Sequence, residues 1–123
     1  MTGHDRLTIG MYSFDCRDAA ALAQFWSRML ERPVDQGATA AYATIGFADD
    51  GPTWMFVRSP EPGEGRNRLM FDFAGENGWR QEADRAESLG ASRVAEHEVD
   101  GVRWVELRDP ENNTFRFFAP RPQ

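Results

Sequence analysis

The sequence predicts an α+β fold built from two βαβββ modules. Segments in which apolar side chains alternate with period two, as is typical of strands, are interrupted twice by segments with apolar residues three and four positions apart, as in an amphipathic helix. The same order of elements occurs before and after a Pro- and Gly-rich segment at residues 59–67. An internal repeat of a supersecondary unit strongly limits the folds available, even where the two halves share few identical residues.

The first module begins with a strand over residues 7–15, in which Met11 and Ser13 point to the same side. A helix follows with Asp18 as its predicted N-cap. Its apolar stripe consists of Leu22, Phe25, Trp26, Met29 and Leu30. The helix ends before Pro33, because the residue preceding a proline is disfavoured in the helical region. Three short strands are predicted next, at residues 34–38, 41–47 and 53–58.

The second module repeats this order with a strand over residues 68–73, in which Met70 and Asp72 share a side. A helix over residues 79–89 follows, with Gly90 at its C-cap position. Three more strands are predicted at residues 92–98, 101–107 and 114–118, the last two joined by the turn 109–113. In this closing hairpin Trp104 and Glu106 share one side of the first strand, and Arg116 and Phe118 share one side of the second.

Length and charge limit the function classes. The 123 residues suit one domain over 1–123, with a first module at about 7–59, a linker at about 60–67 and a second module at about 68–120. The net charge of −6 argues against nucleic acid and anionic membranes as partners. The polar N-terminal segment lacks the apolar region of a secretory signal, and no apolar run approaches the ~20 residues of a membrane span. A single cysteine, Cys16, excludes an internal disulfide, so a cytoplasmic protein is expected.

Four segments carry a resemblance to a known family: 15–26 (DCRDAAALAQFW), 61–69 (EPGEGRNRL), 102–104 (VRW) and 109–113 (DPENN). In order and spacing they resemble the vicinal oxygen chelate superfamily, which includes glyoxalase I, bleomycin-resistance proteins and extradiol dioxygenases, and in particular its glyoxalase-like branch. The resemblance covers nearly the whole chain. It implies a homodimer and a small-molecule site in a curved sheet cup.

The metal chemistry of that superfamily does not match this chain. In metal-dependent members, His, Gln and Glu side chains in the cup hold a divalent ion, and the resemblance places the corresponding positions at Met11, Met55, Met70 and Arg116. A hard divalent ion needs oxygen or imidazole donors, so we predict neither a metal site nor a cofactor. Cu(I), which accepts thioethers, is a weaker alternative, because the fixed cation of Arg116 is expected beside the methionines. His97, flanked by Glu96 and Glu98, is interpreted as part of an exposed acidic edge strand.

The same positions are better interpreted as a ligand pocket with a soft apolar lining. The predicted ligand-binding residues are Met11, Ser13, Met55, Met70, Trp104, Arg116 and Phe118. Trp54 is a further candidate for an aromatic wall if its side chain faces the same side. The alternative is that these side chains fill the space between the two sheets.

Arg116 needs a carboxylate partner, because an isolated buried charge is costly, and Asp72 and Glu106 are the candidates. Either an Arg–carboxylate bridge ties the cup together, or Arg116 contacts an anionic or carbonyl group of a ligand. The first function hypothesis is a metal-free protein of the sequestration or resistance type that binds a small apolar or aromatic molecule. In one form of this hypothesis the molecule also carries an anionic group. The alternative is a metal-independent isomerase or lyase with Asp72 or Glu106 as base and Arg116 as anion stabiliser. The sequence leaves open whether the protein is an enzyme.

Overall fold

The structure, a computed structural model, describes residues 7–61, 67–74 and 76–120. The chain divides into two compact units, residues 1–62 and 63–123. The described residues form seven strands and two helices, in the order β1 (Met11–Cys16), α1 (Ala19–Leu30), β2 (Tyr42–Ile45), β3 (Thr53–Arg58), β4 (Phe71–Ala74), α2 (Trp79–Ser88), β5 (Ser92–Val99), β6 (Val102–Arg108) and β7 (Thr114–Phe118). This confirms the predicted α+β class. Most of the predicted linker, residues 62–66, lies outside the described residues.

The first unit contains a three-stranded sheet in the order β1-β3-β2, with β1 parallel and β2 antiparallel to β3. Helix α1 starts where predicted, since the Asp18 side chain accepts a hydrogen bond from the Ala21 backbone N–H at 3.1 Å. The helix buries its apolar stripe against one face of this sheet. Trp26 and Leu22 are 1% exposed and Phe56 of β3 is fully buried, so the helix and the sheet share one hydrophobic core.

Trp54 belongs to this core and not to the opposite sheet face. Its ring centroid lies 5.3 Å from that of Trp26 and 5.7 Å from that of Phe14, and the residue is 6% exposed. The interpretation of Trp54 as an aromatic wall beside Met55 is therefore wrong. Neighbouring residues of a strand point to opposite faces, so the large apolar indole occupies the helix side and leaves Met55 on the other side.

The predicted strand at residues 34–38 is also wrong, because only a single bridge between Val34 and Ile45 forms there. The Asp35 carboxylate accepts hydrogen bonds from the Thr44 hydroxyl at 2.7 Å and from the Phe47 backbone N–H at 2.9 Å. An Asp that bonds nearby groups in this way offers the chain an alternative to a strand ladder. The chain then turns at Gly37, whose φ of 93° lies in the region that glycine adopts without strain.

The second unit contains a four-stranded sheet in the order β4-β7-β6-β5, in which β4 and β7 are parallel and the other pairs antiparallel. Helix α2 lies on the face that carries Phe115, Phe117, Val105 and Leu107. Strands β5 and β6 are joined by a two-residue turn, Asp100-Gly101, in which both residues have positive φ (52° and 82°). Such a turn matches the twist of an antiparallel hairpin.

The turn between β6 and β7 is held by a buried carboxylate. Asp109 is 2% exposed, and its Oδ1 accepts hydrogen bonds from the backbone N–H groups of Glu111 and Asn113, both at 2.9 Å. Next to the turn, Asn67 Oδ1 accepts the backbone N–H of Thr114 at 2.6 Å, while Asn67 Nδ2 donates to the Thr114 carbonyl at 3.1 Å. These contacts set where β7 begins and therefore which residues of β7 face each side.

Within the part of the chain that the structure describes, neither helix is long and apolar enough to cross a membrane.

Candidate functional site

In the first unit, the predicted ligand-binding residues lie on the sheet face opposite α1. Ser13 of β1 and Thr44 of β2 are both paired with Met55 of β3, which places the three side chains in one row across the sheet. Met11, two residues before Ser13, shares this face and is 41% exposed. The remaining predicted methionine, Met70, is in the second unit, directly before β4, and is half-buried.

In the second unit, the sheet face opposite α2, called here the uncovered face, carries a charged row. It consists of Asp72 on β4, Arg116 on β7 and Glu106 on β6, which the strand register places directly side by side. Arg116 Nε donates to Asp72 Oδ1 and Arg116 Nη2 donates to Asp72 Oδ2, each at 2.7 Å. Of the two carboxylates predicted as partners of Arg116, Asp72 therefore makes the bidentate pair.

The charged row stabilises the cationic form of Arg116. Its pKa is raised, chiefly by the hydrogen bonds with Asp72; burial acts in the opposite direction, and the charges of Asp72 and Glu106 add to the increase. The Arg116 side chain is 21% exposed and that of Asp72 is 41% exposed. The middle of the uncovered face is thus a fixed cation that solvent still reaches.

An aromatic row lies beside the charged row on the same face. It consists of Phe118 on β7, Trp104 on β6 and His97 on β5, again directly paired across the sheet. The Phe118 and Trp104 rings stack at 5.4 Å with an interplanar angle of 24°, and the Trp104 and His97 rings stack at 5.2 Å with 26°. Arg116 Cζ lies 5.2 Å from the Phe118 centroid and 6.0 Å from the Trp104 centroid, within the range of a cation–π contact.

His97 is the member of this site that sequence reasoning missed. Its Nε2 lies 3.1 Å from Oε1 of Glu106, and the two side chains are 38% and 12% exposed. The sequence correctly separated His97 from its neighbour Glu96 by strand alternation, and Glu96 forms a bidentate pair with Arg80 of α2 on the other face. Extending the alternation across the Asp100-Gly101 hairpin would have placed His97 opposite Trp104. The interpretation of this segment as an exposed acidic edge strand is confirmed, since β5 is an edge strand and Glu96 and Glu98 are exposed, but it did not reveal the contact of His97 with Glu106.

The residues at the family's metal positions do not fit a divalent ion. Arg116, which the resemblance aligns with a ligand carboxylate, is a cation held by Asp72, and Met11, Met55 and Met70 offer only thioethers. Hard divalent ions bind oxygen and imidazole donors instead. Among the described residues, no three His, Cys, Asp or Glu side chains are grouped so that they could hold a metal ion.

Comparison with known proteins supports the resemblance. The family model of the glyoxalase-like domain matches residues 11–118. No curated protein matches the chain.

Solved structures share the fold at low sequence identity. A glyoxalase/bleomycin resistance protein/dioxygenase family enzyme from Burkholderia phytofirmans PsJN is 15% identical with a TM-score of 0.74, over 92% of this chain and 98% of that chain. A glyoxalase/bleomycin resistance protein/dioxygenase from Nocardioides is 15% identical with a TM-score of 0.71, over 100% and 92%. The fosfomycin resistance protein FosX from Mesorhizobium loti is 14% identical with a TM-score of 0.67, over 93% and 92%.

At these identities the structural likeness shows the fold and no particular reaction, since one fold hosts many functions. The family model, in contrast, spans nearly all of the sequence. The chain belongs to the glyoxalase-like domain family.

Proposed function

We propose that the protein binds a small, flat aromatic molecule with an anionic group on the uncovered face of the second unit, as a binding protein of the sequestration or resistance type. The observation that carries this proposal is the combination of Arg116 with the aromatic row. A guanidinium has five N–H donors, and Asp72 takes two of those of Arg116. Among the described residues, the other three donate no hydrogen bond, so they are available to an anion.

The aromatic row supplies the apolar part of this site. Phe118 and Trp104 are half-buried, so a bound molecule would remove more of their surface from water. Arg116 lies against both rings, which places its charge at the border between the apolar surface and the charged row. A ligand that combines a flat ring with a carboxylate or a similar group would satisfy both surfaces at once.

The other predicted ligand-binding residues stay predictions. They are Met11, Ser13 and Met55, on the sheet face of the first unit, and Met70, directly before β4 in the second unit. The homodimer and the cytoplasmic location also stay predictions.

The alternative, a metal-independent isomerase or lyase, has weaker support for its proposed bases. Both oxygens of Asp72 accept hydrogen bonds from Arg116, so this carboxylate is already engaged on both sides. Glu106 is only 12% exposed and one of its oxygens lies beside His97. Neither carboxylate thus presents an unengaged, exposed oxygen pair to a substrate, and binding is favoured over turnover.

The test is a comparison of two ligands of the same shape, 2-naphthoate and 2-naphthamide, by isothermal titration calorimetry. A hydrogen bond to a charged group contributes about 1.5–3 kcal/mol, so 2-naphthoate should bind at least tenfold more tightly than the neutral amide. EDTA should leave this affinity unchanged, since the proposed site uses no metal. Equal affinities for the two compounds, or no binding of either, would refute the proposal.

A further inference from the structure

His97 and Glu106 form an oriented pair on the uncovered face. A carboxylate offers only acceptors, so a neutral imidazole with Nε2 at 3.1 Å from Glu106 Oε1 carries its proton on Nε2 and donates it to Glu106. The remaining ring nitrogen, Nδ1, then has a lone pair and acts as an acceptor. The stacking on Trp104 at 5.2 Å holds the plane of the imidazole ring. The pair therefore fixes both the tautomer and the orientation of His97.

Nδ1 is open to a ligand. Among the residues that the structure describes, none makes a hydrogen bond with Nδ1, and the His97 side chain is 38% exposed. His97 also lies at one end of the aromatic row, on the edge strand β5, where no further strand of this sheet limits access. The uncovered face thus presents an uncharged acceptor at His97 in addition to the donors of Arg116.

We propose that His97 determines ligand specificity by accepting, at Nδ1, a hydrogen bond from a hydroxyl group of the ligand. This inference rests on the proposed function and names the ligand class of the same site: aromatic anions that carry a hydroxyl group away from the anionic one. Glu106 acts as a positioning residue, because it holds the tautomer that leaves Nδ1 as an acceptor.

The strand positions set the size of such a ligand. His97 and Arg116 are two strands and one two-residue step apart. Strand spacings of about 4.8 Å and rises of about 3.3 Å per residue separate their Cα atoms by roughly 12 Å. Both side chains project over the same face, so a molecule of two fused rings, with its hydroxyl and its carboxylate at opposite ends, matches this separation better than a single ring does.

The experiment compares 6-hydroxy-2-naphthoate with 2-naphthoate by calorimetry. A hydrogen bond of ordinary strength predicts that the wild-type protein prefers the hydroxylated compound about five- to tenfold. His97→Phe keeps a ring that can stack on Trp104 but has no Nδ1. It should show no preference between the compounds, because the acceptor for the hydroxyl group is gone.

Two further variants test specificity. Glu106→Gln, in which the side-chain amide can also donate to the imidazole, should weaken the preference. Glu98→Gln removes an equal charge from β5, the strand of His97, but from the opposite face, and should keep the preference. If His97→Phe fails to fold, as checked by circular dichroism, His97→Leu takes its place with the same expected loss of preference.

The outcomes separate this inference from the proposed function. If the wild-type protein binds 2-naphthoate but shows no preference for the hydroxylated compound, the role of His97 is refuted while the anion site stands. An unchanged preference in the His97 variant refutes it as well. Failure of the wild-type protein to bind 2-naphthoate refutes both.

Discussion

Replacing Arg116 with methionine is the sharpest test of the charged row, because it distinguishes a structural bridge from an anion-binding group. Methionine keeps an unbranched apolar chain that can pack beside Phe118 and Trp104, but it removes the guanidinium. The substitution therefore deletes the two 2.7 Å hydrogen bonds with Asp72 and the cation–π contacts, and leaves the strand pairing in place.

The two effects of Arg116→Met should differ in size. Asp72 is 41% exposed, so water can replace the guanidinium around its carboxylate, and the free energy of unfolding should fall by only about 1 kcal/mol. This corresponds to a decrease of about 4 °C in Tm for a domain of this size. In contrast, the loss of a charge-assisted contact with the ligand should weaken 2-naphthoate binding by at least tenfold, because such a contact contributes about 1.5–3 kcal/mol of binding free energy.

Arg80 of α2 provides a matched control. Its guanidinium makes a similar bidentate pair with Glu96, at 3.1 Å and 2.6 Å, but on the face that α2 covers. Arg80→Met should lower stability no more than Arg116→Met does, and it should leave 2-naphthoate binding unchanged. Urea unfolding and calorimetry on the two variants give both quantities. If Arg116→Met loses stability and still binds 2-naphthoate with wild-type affinity, Arg116 is a structural bridge only.

Two further predictions concern the frame around the site. The pKa of Asp35 is lowered, because burial, which raises it, is outweighed by hydrogen bonds from the Thr44 hydroxyl and backbone N–H groups that include that of Phe47. The stabilising contribution of Asp35 is present above the ordinary Asp pKa and is lost as the pH falls through the lowered pKa of the folded state. Asp35→Asn should therefore flatten the loss of Tm below about pH 4. Parallel curves of Tm against pH for the variant and the wild type would contradict this. Asn67→Ala removes the 2.6 Å and 3.1 Å contacts with the backbone of Thr114 and should lower the free energy of unfolding by about 2 kcal/mol in urea titrations, whereas a change below about 0.5 kcal/mol would contradict the assigned role of Asn67.

Local features of the sequence accounted for most of the fold. The 3.6-residue and two-residue periodicities predict the two helices and the sides to which strand residues point, because they depend only on backbone geometry within each element. For this reason Trp104 and Glu106, and likewise Arg116 and Phe118, were assigned to shared sides before any strand pairing was known. The error at residues 34–38 arose from hydrogen bonds of Asp35 to residues about ten positions away, which periodicity does not reveal.

The side-chain partners of Arg116 in the candidate site depended on pairing between distant strands. The sequence offered Asp72 and Glu106 as partners for Arg116, and both indeed flank it, because β7 lies between β4 and β6. Only the tertiary structure decided between them: Asp72 makes the bidentate pair, and Glu106 has an oxygen next to His97 from the edge strand.

The sequence by itself thus determined the family and the α+β class, and it predicted the chemical types of the candidate site, since these follow from local patterns and motif order. The tertiary structure determined which of those side chains meet, since a side chain's partner across a sheet depends on strand order and register between segments as much as 44 residues apart, as for Arg116 and Asp72.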